Sequence, residues 1–235
     1  TNLLARGLFE LGHHVHVITR GQREKTTFYD GAYVHQITTR LNRYDRYRLL
    51  PSTHHTLNYS HAVYEAVSRI KLNDGIQLVD SPLWQVEGLV TEQSGLLPVV
   101  VRPVTAIRQI AELHKSKDRD LRMLGDLEQA LLERAAFLAA NSQATVRALA
   151  NIYTLDERIP RRVIPYGIAP VPDEAVRLVD PKSDPAAPRT VLFLGRMEKR
   201  KGIVDLFEAI PQVLAQVPQT RFIIAGADNS LADGF

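Results

Sequence analysis

Short apolar runs rich in Val, Ile and Leu alternate along this chain with stretches whose apolar positions recur at helical spacing, and that alternation limits its fold more than any other feature. Residues 13–20, 34–37, 76–80, 98–102, 137–141, 162–165, 191–194 and 220–226 read as strands. Residues 56–72, 84–94, 121–134, 144–151 and 203–217 read as helices. A further helix is expected over residues 1–12, where Leu3, Leu4, Leu8 and Leu11 form a stripe and Gly12 is placed to cap the end. Continuous apolar strands need both faces covered, which helices in crossover connections provide. The expected fold is therefore α/β, a doubly wound parallel sheet with right-handed crossovers.

Pro170, Pro172, Pro181, Pro185 and Pro188 fall in a segment of scattered charge, so residues 171–188 read as a linker. On that reading residues 1–170 form an N-terminal Rossmann-like domain and residues 189–235 begin a second one, with a cleft between them. A helix that leads straight into a buried strand is the second half of a βαβ unit, so a first strand and its glycine loop are expected to precede Thr1. The second domain, with one βαβ unit, is expected to be incomplete.

With 45% hydrophobic and 23% charged residues in 235, the composition is that of a globular protein long enough for two domains. The absence of cysteine excludes disulfides and thiolate metal sites. No apolar run approaches the roughly 20 residues that span a bilayer, and a cytoplasmic location is expected. A net charge of +3 is too small for this length to argue for nucleic acid, and slightly favours an acidic ligand.

The run from Thr190 to Gly202, TVLFLGRMEKRKG, carries the strongest chemical signal. It reads as a buried strand, a glycine turn bearing cations, and the start of a helix. The first N–H groups of a helix lack internal partners and its macrodipole is positive there, which favours an anion. Arg196 offers a planar fork that matches phosphate oxygens, Lys201 adds a point charge, and Gly195 and Gly202 let the backbone approach a ligand closely. The competing reading is a solvated basic turn between a strand and a helix.

Four landmarks resemble, in order, those of the retaining glycosyltransferases of GT-B fold, family 4, also called group 1 glycosyltransferases. They are LGHHVHVIT at residues 11–19, AANS at 139–142, VIPYGI at 163–168, and Gly195-Arg196 followed by Lys201-Gly202. The resemblance implies two Rossmann-like domains, the second truncated here. It also implies metal-independent, retaining transfer of a sugar from a nucleotide-sugar donor to a glycan or lipid-linked acceptor, as in polysaccharide biosynthesis, with no cofactor. Arg196 and Lys201, with Gly195 and Gly202, take the place of the residues that bind the donor diphosphate. Gly167, Ser142, Asp80, Trp84 and Thr105 fall at the donor or acceptor cleft, and no catalytic residue is identified. Peripheral association with the inner face of a membrane fits such acceptors. Relatives often carry a histidine where this chain has Val104, and the motif VIPNGID loses its Asn and Asp at Tyr166 and Ala169. Because the first glycine loop and a later acidic motif lie outside the chain, it is expected to be inactive alone.

Other residues carry competing readings. Asp80 either hydrogen-bonds an acceptor hydroxyl or caps a helix beside Ser81, with Pro82 at the first helical position. Trp84 stacks on a sugar or packs. Ser142 reads first as an N-cap, and Gly167 either lets a donor approach or holds a turn at positive φ. His13, His14 and His16 lack an accompanying acidic cluster, so a metal site is not expected. Arg40, Arg43, Arg46 and Arg48 interleave with Tyr44 and Tyr47, and read as an acceptor loop rather than a nucleic-acid patch. Outside glycosyl transfer, the alternatives are a non-catalytic nucleotide- or glycan-binding protein, or a GT-B nucleotide-sugar epimerase or phosphorylase.

Overall fold

The computed structural model describes residues 2–39, 44–173 and 189–227. The chain divides into two compact units, Thr1–Ala169 and Pro170–Phe235. Residues 174–188, most of the expected linker, lie outside the described residues.

The first unit is mixed α/β and Rossmann-like. Its centre is a parallel sheet of β4 (Val79–Pro82), β5 (Val99–Arg102), β6 (Phe137–Ala140) and β7 (Arg161–Val163), ordered β4-β5-β6-β7. Helices α2 (Pro51–Asp74), α3 (Leu89–Gln93) and α5 (Arg119–Glu133) pack on one another, α4 (Ile107–Leu113) packs on α5, and α6 (Gln143–Ile152) on β6. Val99 and Val101 of β5, Leu138 of β6, and Leu131 and Leu132 of α5 are almost wholly buried in one apolar cluster. That placement follows from burial on both faces of a short Val-rich strand.

A second sheet has the order β1-β3-β2, with β1 (Val15–Arg20) parallel to β3 (Ala32–Ile37), and β2 (Lys25–Tyr29) antiparallel to β3. Tyr59, Val63, Ala66 and Val67 of α2 pack with Ile37 of β3, against Ile18 of β1 and Val79 of β4, so one helix shares its core with both sheets. Helix α2 begins at a proline and ends before Gly75, whose φ of 66° makes the left-handed cap. Both ends lie beyond the expected 56–72.

Two expectations need correction. The segment 84–94 is not one helix but a 3-10 turn, Trp84–Val86, followed by α3. Gln85 and Val86 hold φ of 59° and 42° between them, while Gly88 lies so close to β4 that a Cβ there would sit 2.7 Å from Ser81. The chain must turn sharply to bring Gly88 against the strand. The leucine stripe of α1 (Asn2–Glu10) and the residue after it is not buried against the described residues: Leu11 is 76% exposed and only Ala5 is buried. Helix α1 is held instead by Arg6 on Asp30 at 2.6 Å and by Phe9 against Phe28.

The second unit holds β8 (Thr190–Leu194) and β9 (Arg221–Ala225), paired in parallel, with α7 (Ile203–Gln216) between them in sequence.

Candidate functional sites

In the second unit, β8 ends at Leu194 and the chain passes through Gly195 and Arg196 to a 3-10 turn, Lys199–Lys201, that leads into α7. Gly202 joins turn to helix at φ 75°, a left-handed conformation that favours glycine, and no side chain caps the helix. Within this stretch four cations, Arg196, Lys199, Arg200 and Lys201, accompany two carboxylates, Glu198 and Asp205. Glu198 is buried and takes two of the cations, Arg196 at 2.7 Å and Arg200 at 2.8 Å. Lys201 is exposed and ion-pairs with none of the described residues. Arg196 therefore has one edge committed to Glu198, with 55% of its side chain exposed.

A Cβ on Gly195 would meet only the Phe193 ring, at 3.7 Å. The glycine with a strict steric role is one the sequence reading passed over: a Cβ on Gly226, just beyond β9, would lie 1.8 Å from the Gly195 carbonyl oxygen. The register Leu194↔Ala225 explains this, since it sets the two glycines beside one another where the strands end. Gly226 is thus what lets the turn backbone lie against β9.

In the first unit the carboxyl end of β4 runs into the strained turn at Gln85 and Val86, beside a cavity of about 470 Å³. The cavity is lined by Pro51, Ser52, His55 and Thr56 of α2, Trp84, Gln85 and Val86, Ile107 of α4, and Leu121, Leu124 and Glu128 of α5. Trp84 remains 39% exposed. Arg20, at the end of β1, lies 3.7 Å over the Tyr59 ring, hydrogen-bonds His55, and donates to Gln85 Oε1 at 3.0 Å. Burial, with the nearby Arg20 charge, lowers the His55 pKa.

Helix α5 supplies two buried carboxylates that cap other helices. Asp120 accepts from Ser52 N–H at 2.7 Å, Thr53 N–H at 2.8 Å and the Thr53 hydroxyl at 2.6 Å, at the start of α2, which has no side-chain cap of its own. Burial pushes its pKa up, but the bonds from Thr53 and Ser52 outweigh that and hold it below the usual value. Eight residues on, Glu128 accepts from Ile107 N–H at 2.8 Å and from the Tyr153 hydroxyl, both through Oε2. Its other oxygen, Oε1, is buried without a hydrogen-bond partner. Burial raises the Glu128 pKa to about 7 against the opposing effects of Tyr153, Ile107 and Arg108.

The remaining expected residues fall as follows. Asp80 is held by Arg102 through a bidentate contact at 2.7 and 2.8 Å, and Pro82 ends β4, so Asp80 does not cap a helix. Ser142 caps α6, accepting from Thr145 N–H at 3.1 Å. Thr105 is half-buried just before α4, next to half-buried Val104. Gly167 is exposed, has open space around it and lacks the positive φ of the turn reading. His16 does not gather ligands; its Nδ1 lies 3.0 Å from His35 Nε2. Arg40 and Arg43 lie outside the described residues, while Tyr44 and Tyr47 are half-buried and pack against the core cluster.

The structure brings Trp84 to the cavity and keeps Gly195, Arg196, Lys201 and Gly202 in one turn. The cavity's Glu128 and His55 were not anticipated. No protein-family model matches the chain, and no curated protein matches it either.

Proposed function

We propose that this chain is part of a retaining GT-B glycosyltransferase resembling family 4, which moves a sugar from a nucleotide-sugar donor to a glycan or lipid-linked acceptor. The observation that carries the reading is the cationic glycine turn between β8 and α7, where Arg196 and Lys201 precede a helix start that no side chain caps. In such a reaction positive charge develops at the anomeric carbon and negative charge on the departing diphosphate. Fixed cations at that diphosphate lower the barrier because they meet the charge as it forms. Arg196 binds the diphosphate through the edge that Glu198 leaves exposed, Lys201 adds a second cation, and the missing side chain at Gly195, whose nearest neighbour is the Phe193 ring, keeps the turn backbone uncovered. The Rossmann-like sheet of the first unit is consistent with the acceptor half of such an enzyme.

The test is calorimetric titration with uridine, guanosine and adenosine diphosphate sugars. Removing two charge-assisted contacts, each worth about 1.5–3 kcal/mol, weakens binding by roughly 100-fold or more in Arg196→Ala with Lys201→Ala. Unchanged affinity in the double variant rejects the assignment. Val104, at a position where the resemblance expects histidine, favours a second reading, a non-catalytic nucleotide- or glycan-binding protein. Sugar transfer measured on the whole protein to which the chain belongs separates the two, since turnover there excludes a pure binder.

A further inference from the structure

We infer that the open edges of β1 and β4 are the two sides of a slot for one further strand, an apolar segment that leads into α1, runs parallel to both and joins the two sheets of the first unit into one. The inference stands independently of the glycosyl-transfer reading.

The two edges lie side by side and point the same way. Among the described residues β1 pairs only with β3, and β4 only with β5. Ile18 of β1 and Val79 of β4 nevertheless pack against one cluster on α2, built of Tyr59, Val63, Ala66 and Val67. At the carboxyl ends Arg20, the last residue of β1, donates to Gln85, just past β4, at 3.0 Å. At the amino ends His16 of β1 feels the charge of Asp74, which closes α2 shortly before β4 begins. A strand set between β1 and β4 lies about 4.8 Å from each and pairs with both.

Strand β1 is not built as an edge. Edges that face solvent carry charges, prolines or bulges, because their free N–H and C=O groups invite pairing. Strand β2 is such an edge, with Lys25 at its start and all five residues exposed. By contrast β1 reads Val-His-Val-Ile-Thr-Arg, with no lysine, acid or proline and no arginine before Arg20, and is half-buried as far as Thr19. That is the composition of an interior strand, which in β5 goes with almost complete burial of Val99 and Val101. Helix α1 packs on β1 and β3 and enters β1 through Gly12, while its Leu3 and Leu4 stay exposed. The strand that feeds such a helix lies parallel to the one that follows, usually as its neighbour, and β3 already holds the other side of β1.

The hydrogen bonds name the amides that face the slot. In a parallel ladder alternate residues turn their N–H and C=O to opposite neighbours. Gly21 N–H donates to the Ile37 carbonyl at 2.9 Å, so the odd residues of β1 serve β3 and the N–H groups of His16, Ile18 and Arg20 face the slot. Val79 N–H donates to the Pro98 carbonyl at 3.0 Å and Leu83 N–H to the Arg102 carbonyl at 2.9 Å, so Asp80 faces it from β4. Pro82 faces it too and has no N–H, so the donors of β4 end at Asp80. The completed order is β2-β3-β1, the new strand, then β4-β5-β6-β7. Its carboxyl end lies where the connections diverge, the place where open α/β sheets take ligands.

The test extends the chain by roughly 15 residues of the whole protein's reading frame before Thr1, enough for a strand and its loop. Those residues are expected to hold an apolar run of about four to six, followed by a short loop. By hydrogen exchange in nuclear magnetic resonance, the amides of His16, Ile18 and Asp80 are expected to exchange at least about 100-fold more slowly in the extended chain than in residues 1–235. The melting temperature is expected to rise by about 5 °C or more. His16→Pro removes an N–H that faces the slot and leaves the β1–β3 bonds in place; in the extended chain it is expected to remove the protection of Ile18 and Asp80. If that variant melts too low to study, the wild-type pair of chains decides alone.

An upstream frame without an apolar run overturns the inference, and so does unchanged exchange at the three amides. Slowing confined to the open edge of β2 places the segment there and rejects the slot. Slowing that residues 1–235 show by themselves as concentration rises makes a second copy the occupant, and also rejects it. Full protection of Asp80 in extended His16→Pro does the same.

Discussion

Asp120→Ala tests whether a carboxylate eight residues before Glu128 on the same helix secures the wall of the cavity. Helix α2 starts at Pro51 after Leu50, which offers no side-chain cap, and the donors of its first turn are met by Asp120, 67 residues away from Thr53. The substitution removes three short hydrogen bonds to a charged acceptor, at 2.6 to 2.8 Å, leaves the buried Thr53 N–H unpaired, and leaves the Thr53 hydroxyl only its longer bond, 3.4 Å, to the Asp120 carbonyl oxygen. A lost cap costs about 0.5–2 kcal/mol and a hydrogen bond to a charged group about 1.5–3. Because the three share one carboxylate and do not add fully, the expected loss is about 3–5 kcal/mol, a large part of the roughly 5–15 kcal/mol that holds a domain together. Asp118→Ala is the control: Asp118 makes a conventional local cap on Asp120 N–H at 2.8 Å and should cost only about 1 kcal/mol. Urea unfolding followed by circular dichroism measures both. The linkage has a definite sign. The folded pKa of Asp120 lies below its unfolded value, so its contribution is present above about pH 4 and is lost as pH falls through the folded pKa. A loss under about 1 kcal/mol for Asp120→Ala, or an acid-unfolding profile equal to wild type, refutes the capping argument.

The other predictions concern groups whose environments oppose their usual state. The Glu128 pKa is raised, so stability should decline between about pH 4.5 and 7 as the folded state is forced to carry a buried charge; Glu128→Gln should flatten that decline in melting temperatures taken across the range. His16 and His35 have lowered pKa values, chiefly from burial, with His14 acting on His16, and His16 and Arg69 acting on His35, against the opposing charge of Asp74. Stability should therefore be intact above about pH 6.5 and fall as the pH drops below it, and His16→Phe should lessen the loss. Gly226→Ala forces a Cβ to 1.8 Å from the Gly195 carbonyl and should destabilise the second unit, whereas Gly195→Ala meets only Phe193 at 3.7 Å and should change the melting temperature little while weakening donor binding. Equal melting temperatures for those two variants contradict the steric assignment.

Strands β5 and β6 were legible because a run such as Val99-Val100-Val101 states in one segment that both faces are covered, and covering them is what a parallel sheet with helices does; β8 and β9 were legible from the same kind of apolar run, although β8 is largely exposed and not the buried strand expected. Strand β2 was missed although its signal was present: Asp30-Gly31, at φ 50° and 82°, closes a hairpin onto β3, and the Thr, Phe and Tyr residues before it are ordinary edge-strand chemistry. The basic turn was legible because its residues lie side by side in sequence, so that spacing and charge are read together. The cavity was not, since Trp84, His55 and Glu128 come from three segments and meet only through packing. Asp120 and Glu128 show the limit most clearly. On the sequence they are two acids on the face of an amphipathic helix, eight positions apart, where solvent exposure is the ordinary expectation. Folding turns that face inward, and each carboxylate meets the open end of another helix. The difference between them is then decided by arithmetic of donors. Asp120 has three for its two oxygens and is stabilised as an anion; Glu128 has two, both on one oxygen, and is not. The same framework that fixes α2 and α4 thus leaves one carboxylate oxygen buried and unpaired, and it is this imbalance of donors, which no motif announces, that sets the two acids apart.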